Sequence, residues 1–175
     1  GAGGDFTLIR LDTNGMPDPT FGTAGVVTTD LTDSADAVQG LILLSDGGLL
    51  AVGVADGQVG MARYLPTGAL DSNFGDGGTA VLPLSIASRA PNAAAMDSEG
   101  RIVMVGHANG VPAVARMLGD GRPDYSFGTA GMMYMDMPFN DRNYGYGIAV
   151  DADDRVIFGA VKATSGGLFI SRLWP

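Results

Sequence analysis

The sequence predicts an all-β fold assembled from a repeated unit. Three observations carry this: turn formers are plentiful, good helix formers are scarce, and short apolar runs return at a fixed interval. Of 175 residues, 28 are glycine and 9 proline, residues that break helices and the middles of strands. The charged residues include 18 Asp against the single Glu99, and 9 Arg against the single Lys162. Asp favours turns, whereas Glu and Lys favour helices. Apolar residues make up 46% of the chain, enough for a packed core.

A motif sets the interval. DPTFGTAG begins at Asp18, DSNFGDGG at Asp71 and DYSFGTAG at Asp124, so D-x-x-F-G-x-x-G recurs every 53 residues. Arg10, Arg63 and Arg116 precede the copies at the same spacing, with Gly15, Gly68 and Gly121 between, and Arg172 follows the third arginine by 56 residues.

Each period holds four apolar runs separated by turn signals, at residues 40–44, 49–54, 59–65 and 79–84 in the best-covered copy. Asp46-Gly47, Asp56-Gly57 and Thr67-Gly68 join them. Dipeptides of this kind supply the positive φ of tight hairpin turns, which predicts antiparallel neighbours in a meander. A four-stranded unit of roughly 40 to 50 residues is a β-propeller blade. The period of 53 lies just above that size. The predicted organisation is one repeat domain over residues 1–175, with a partial blade at 5–37, blades at 38–91 and 92–144, and a partial blade at 145–175. This amounts to about three 53-residue repeats and one extra strand. Residues 6–11 and 168–173 both fall at the third-strand position, so the sheets are expected to be completed by a second copy or by a further segment of a larger parent.

The pattern R-[LYM]-x-x-x-G-x-x-D-x-x-F-G-x-x-G, followed by segments such as SDGGLLAVG, DSEGRIVMVG and DADDRVIFGA, resembles the bacterial delta-60 repeat, the DUF5122 β-propeller repeat family. The resemblance covers residues 5 to 173 and departs in the third copy, at Asp153-Asp154 and in the longer connection from Lys162 to Gly167. It implies a propeller fold and a bacterial secreted or cell-surface setting, and it brings no catalytic residues.

A formal net charge of -9 and the absence of any Lys/Arg run argue against nucleic acid and anionic membrane surfaces. No apolar stretch approaches the roughly 18 residues of a transmembrane helix, so a soluble chain is expected. Without Cys, disulfides and zinc-thiolate sites are impossible.

A group present in every repeat usually serves packing, and one present once is the better functional candidate. Arg10 with Asp18, Arg63 with Asp71 and Arg116 with Asp124 are expected as structural pairs across hairpins, with Phe21, Phe74 and Phe127 as plugs between blades. Asp12, Asn14 and Asp18 resemble part of a calcium loop, but no Glu completes the set and Leu65 and Leu118 replace Asp12 in the equivalent turns. The expectation is no metal and no cofactor. His107 is the single histidine and is expected on a blade loop, as a solvated or satisfied residue. Met132, Met133, Met135 and Met137 alternate along one strand and so divide between its faces as packing residues.

The segments at 31–38, 85–91 and 138–146 are the least repetitive and are expected to form a rim of loops. The third carries Asp141, Arg142, Tyr144 and Tyr146, a set able to hydrogen-bond and stack on a carbohydrate or a peptide. Two functions follow. The first is a non-catalytic structural or interaction module of a bacterial secreted or cell-surface protein, partnered by itself or by other protein segments. The alternative is a propeller-type hydrolase or lyase acting on a polysaccharide, for which no carboxylate spacing singles out a catalytic pair.

Overall fold

The computed structural model describes residues 4–83, 91–108, 111–135, 143–162 and 167–173, and among them it holds strands and no helix. β1 (Phe6–Ile9) and β2 (Val26–Thr29) make a two-stranded sheet. β3 (Asp36–Leu43), β4 (Leu49–Ala55), β5 (Gln58–Tyr64) and β6 (Thr79–Leu82) make a four-stranded sheet. A second four-stranded sheet contains β7 (Ala93–Met96), β8 (Ile102–Ala108), β9 (Val111–Met117) and β10 (Met132–Tyr134). β11 (Asn143–Val150), β12 (Val156–Lys162) and β13 (Leu168–Leu173) make a three-stranded sheet. Every pairing is antiparallel and follows chain order, which is the meander of a propeller blade. The first strands β3, β7 and β11 begin at Asp36, Ala93 and Asn143.

Local chemistry explains the turns. Asp56 and Gly57, at φ 46° and 72°, form the two-residue loop between the paired residues Ala55 and Gln58. Gly47 and Gly100 take positive φ between the first and second strands of their sheets, and Asp154 takes it in their place at 58°. Its carboxylate accepts from Ser98 N at 2.8 Å and Ser98 Oγ at 2.5 Å, so the neighbouring sheet holds the residue that replaces the glycine.

Strand alternation gives each sheet two faces, a leading face toward the sheet that follows in sequence and a trailing face toward the one before. Phe6 and Leu8 of β1 lead onto Ala51, Ala62 and Tyr64 of the next sheet. Leu50, Val52 and Met61 of that sheet lead onto Ile102, Met104, Ala115 and Met117. Val103, Val105 and Val114 then lead onto Val156, Phe158 and Ala160. The core is therefore a series of layers between consecutive sheets. Small residues let the first strands approach, and Gly40 lies against Ala94 of β7. Leu41 and Leu43, on the trailing face of β3, are 56% and 75% exposed because the two-stranded sheet ahead of them leaves that part of the face uncovered.

Candidate functional site

Arg10 directly follows β1, Arg63 and Arg116 lie one residue before the ends of β5 and β9, and each turns back on its motif aspartate. Nε lies 2.9 Å from the carboxylate in Arg10–Asp18, 3.0 Å in Arg63–Asp71 and 2.7 Å in Arg116–Asp124. The aspartate amide also donates to the arginine carbonyl in each hairpin, at 2.9, 2.9 and 3.0 Å. The second carboxylate oxygen accepts from the residue two positions on: Thr20 N at 2.9 Å, Asn73 N at 3.1 Å and Ser126 N at 2.9 Å. The phenylalanine amide then donates to the aspartate carbonyl, which places the ring. Arg10 and Arg116 carry their guanidinium carbons 4.6 Å from the Phe21 and Phe127 ring centres. The Thr20 hydroxyl and amide hold the Asp18 carboxyl below its usual value, and the Ser126 hydroxyl does the same for Asp124.

The motif then reaches the next sheet. Gly22 N donates to Thr67 O at 2.8 Å and Gly75 N to Asp120 O at 2.9 Å, while Arg10 Nη1 donates to Pro66 O at 2.6 Å. The Phe21 ring lies against Gly68 and the Phe74 ring against Gly121. One turn thus joins an ion pair, a ring and a backbone bond to the neighbouring hairpin.

A second set of ion pairs went unseen in the sequence. Arg101 Nε meets Asp97 at 2.6 Å and Arg155 Nε meets Asp151 at 2.8 Å. The spacing D-x-x-x-R carries the signal, but the first full sheet has Leu44 and Gly48 there, so no pattern runs through all copies.

The calcium-like turn is occupied by its own donors. Asp12 Oδ1 accepts from Asn14 N at 2.8 Å and Met16 N at 2.9 Å, and Asp18 binds Arg10 and Thr20. Among the described residues, no three His, Cys, Asp or Glu side chains gather as a metal site. His107 corrects an expectation. It stands inside β8 opposite Pro112, 7% exposed, rather than on a solvated loop, because β8 and β9 stay paired as far as Ala108 and Val111. Burial lowers its pKa and keeps the ring neutral at pH 7. Met132 packs into the layer ahead of its sheet, while Met133 and Met135 pack into the one that follows.

Of the four rim candidates, Asp141 and Arg142 lie outside the described residues. Tyr144 and Tyr146 belong to strand β11 rather than to a loop, because β12 pairs with that segment as far as Asn143. Tyr144 is paired with Val161, and Tyr146 is 57% exposed. Tyr146 borders an apolar groove of about 410 Å³ on the leading face of the three-stranded sheet, with Ile157, Gly159, Val161, Leu168 and Ile170. Leu168 and Ile170 are 71% and 73% exposed. Sequence reasoning passed them over, although their alternation with Phe169 and Ser171 in LFISRL marks one face of a strand.

A family model agrees with this architecture. The family described as "Domain of unknown function (DUF5122) beta-propeller" matches residues 2–21 and 44–74. No curated protein matches the chain. A solved structure of a catalytically inactive virginiamycin B lyase from Staphylococcus aureus with quinupristin is similar at 13% identity and a TM-score of 0.47, over 84% of this chain. The chain spans 44% of the length of that protein.

Proposed function

We propose that this β-propeller chain is a non-catalytic structural and interaction module of a bacterial secreted or cell-surface protein, which completes its sheets with another polypeptide. The observation that carries this is the use of the repeated polar groups. Arg10, Arg63 and Arg116 each bind their own aspartate, and Gly22 and Gly75 bind the next hairpin, so the motif holds blades together. The bacterial surface setting rests on the resemblance of the repeat. Tyr146 beside the apolar groove offers a ring for a sugar or a peptide.

The test is incubation of the folded chain with neutral and acidic polysaccharides, followed by assays for new reducing ends and for the unsaturated sugars that a lyase releases. No product above the buffer control is expected. Product that rises in proportion to protein would overturn the proposal in favour of a hydrolase or lyase.

A further inference from the structure

We infer that the pocket between β6 and the turn at 121–123 of the following sheet binds an amino acid or short peptide with an apolar side chain, held by its carboxylate on Arg122 and by its ammonium on Asp76. The two sheets that meet there each have four strands within this chain, so the pocket lies between complete neighbours. Its volume is about 420 Å³. Leu31, Ala80, Val81 and Leu82 give it an aliphatic wall, and Asp76 and Arg122 line it as its charged groups. A cavity of this size with few polar groups on apolar walls has the make-up of a small-molecule site.

The repeat accounts for the space. Val27 holds the place of Ala80 one sheet earlier, and its side chain stands against both Gly22 and Gly68, closing the equivalent junction. Met133 holds that place one sheet later. Ala80 lacks the two γ-methyl groups of Val27, and the junction beside it stays open. The charged groups break the repeat at the same point. Thr23 and Thr129 stand in the place of Asp76, and Met16 and Ala69 in the place of Arg122. Blade packing explains groups that recur in every copy, whereas a small residue, an acid and a base that depart together around one cavity fit a ligand.

The donors and acceptors suit a zwitterion. Asp120 holds the Arg122 guanidinium from one side, accepting from Nε at 2.8 Å and meeting Nη2 at 2.6 Å. That leaves Nη1 and the second Nη2 hydrogen as an end-on pair, the fork that grips a carboxylate with two bonds. The Arg122 side chain is 75% exposed, so a solute reaches it. Asp76 uses its amide and carbonyl on Thr79, and among the described residues its exposed carboxylate takes no donor. The carboxylates of Asp18, Asp71 and Asp124, by contrast, are each taken up by an arginine. An acceptor for an ammonium and a fork for a carboxylate thus border one aliphatic wall, where an apolar side chain leaves water.

The experiment is isothermal titration calorimetry of the whole chain with leucine, leucyl-leucine, leucyl-leucinamide, which lacks the carboxylate, and N-acetyl-leucyl-leucine, which lacks the ammonium. Leucyl-leucine is expected to bind with a dissociation constant on the order of 0.1 mM. Tighter binding of leucine than of the dipeptide supports the site with a free amino acid as its ligand, and the reverse supports it with a peptide. Each blocked dipeptide is expected to bind about tenfold more weakly. Arg122→Ala and Asp76→Thr introduce residues that other copies carry at these places, and Ala80→Val fills the pocket as Val27 fills its own junction. All three are expected to keep the far-UV circular dichroism of the parent and to weaken leucyl-leucine by about tenfold or more. Absence of saturable binding of both leucine and leucyl-leucine to the unaltered chain would overturn the inference. So would undiminished binding by folded Ala80→Val, or blocked dipeptides that bind as well as the free one. None of these results touches the structural role of the repeat, which the polysaccharide assay tests separately.

Discussion

The Cζ atom of Phe74 lies 2.8 Å from where a Cβ on Gly121 would stand, so the aromatic plug of one sheet occupies the space of a side chain missing from the next. Phe21 and Gly68 are related in the same way at 3.1 Å. The repeated glycine is therefore a socket as well as a turn residue.

Gly121→Ala meets two obstacles, a φ of +88° and the Phe74 ring, whereas Gly15→Ala meets only a φ of +80° in open space. The exposed substitution should cost about 1 kcal/mol in backbone strain. The socket substitution should cost about 3 kcal/mol once overpacking is added. Urea unfolding of the two variants checks the difference, and equal losses would show that the ring yields without cost.

The ion pairs should differ in worth although their sequences are alike. Arg116 and Asp124 have side chains 7% and 8% exposed, against 32% and 23% for Arg10 and Asp18. Asp124→Ala strands a buried guanidinium and should lower stability by about 3 kcal/mol. Asp18→Ala should cost clearly less, since water reaches its partner. Denaturation midpoints that rank the other way would contradict this.

Stability should fall in acid. The Asp124 carboxyl is held below its ordinary value of 3.8 by the Ser126 hydroxyl and by Arg116. The folded state thus binds its proton less readily than the unfolded state does. Its stabilising contribution is complete above the ordinary carboxylate range and is lost as pH falls through the depressed value. Asp18, lowered chiefly by Thr20, follows the same sign. Thermal midpoints measured from neutral pH downward should show a steeper acid decline for the parent than for Asp124→Asn, whose amide does not titrate in this range.

Position within a layer should outrank residue type. Met61 is fully buried between two sheets, and Met61→Ala should cost roughly 2–5 kcal/mol through the cavity it leaves. Leu43 is 75% exposed, and Leu43→Ala should stay within about 0.5 kcal/mol of the parent. Paired unfolding curves decide whether the layers carry the stability.

The strands and their order were legible because turn chemistry is local and repeats in phase: Asp46-Gly47, Asp56-Gly57 and Thr67-Gly68 bracket β4 and β5 closely. The Arg–Asp spacing was legible for the same reason. Tyr144 and Tyr146 looked like loop residues because they fall in one of the least repetitive segments, and only pairing with β12 makes residues 143–146 part of a strand with a bulge. His107 was misplaced because a strand's length is set by its partner, here Pro112 and Val111. Asp36 is buried at 4% and accepts from Leu31 N, Thr32 N and Thr32 Oγ1, a cap visible only when the chain turns back on it. The exposed face of β13 showed its alternation in sequence, but which face a neighbour covers depends on how sheets stack.

Because each sheet is wound from one continuous stretch of chain and shares apolar layers only with the sheets adjacent to it in sequence, a disturbance in one sheet has few places to go. Amide hydrogens should exchange in order of position along the stack. Those of the two-stranded and three-stranded sheets should open first, and those of the two four-stranded sheets between them last. The molecule should behave as a row of coupled switches that yields from its outer members, so that adding a partner sheet at either end would slow exchange there before it is felt at β8.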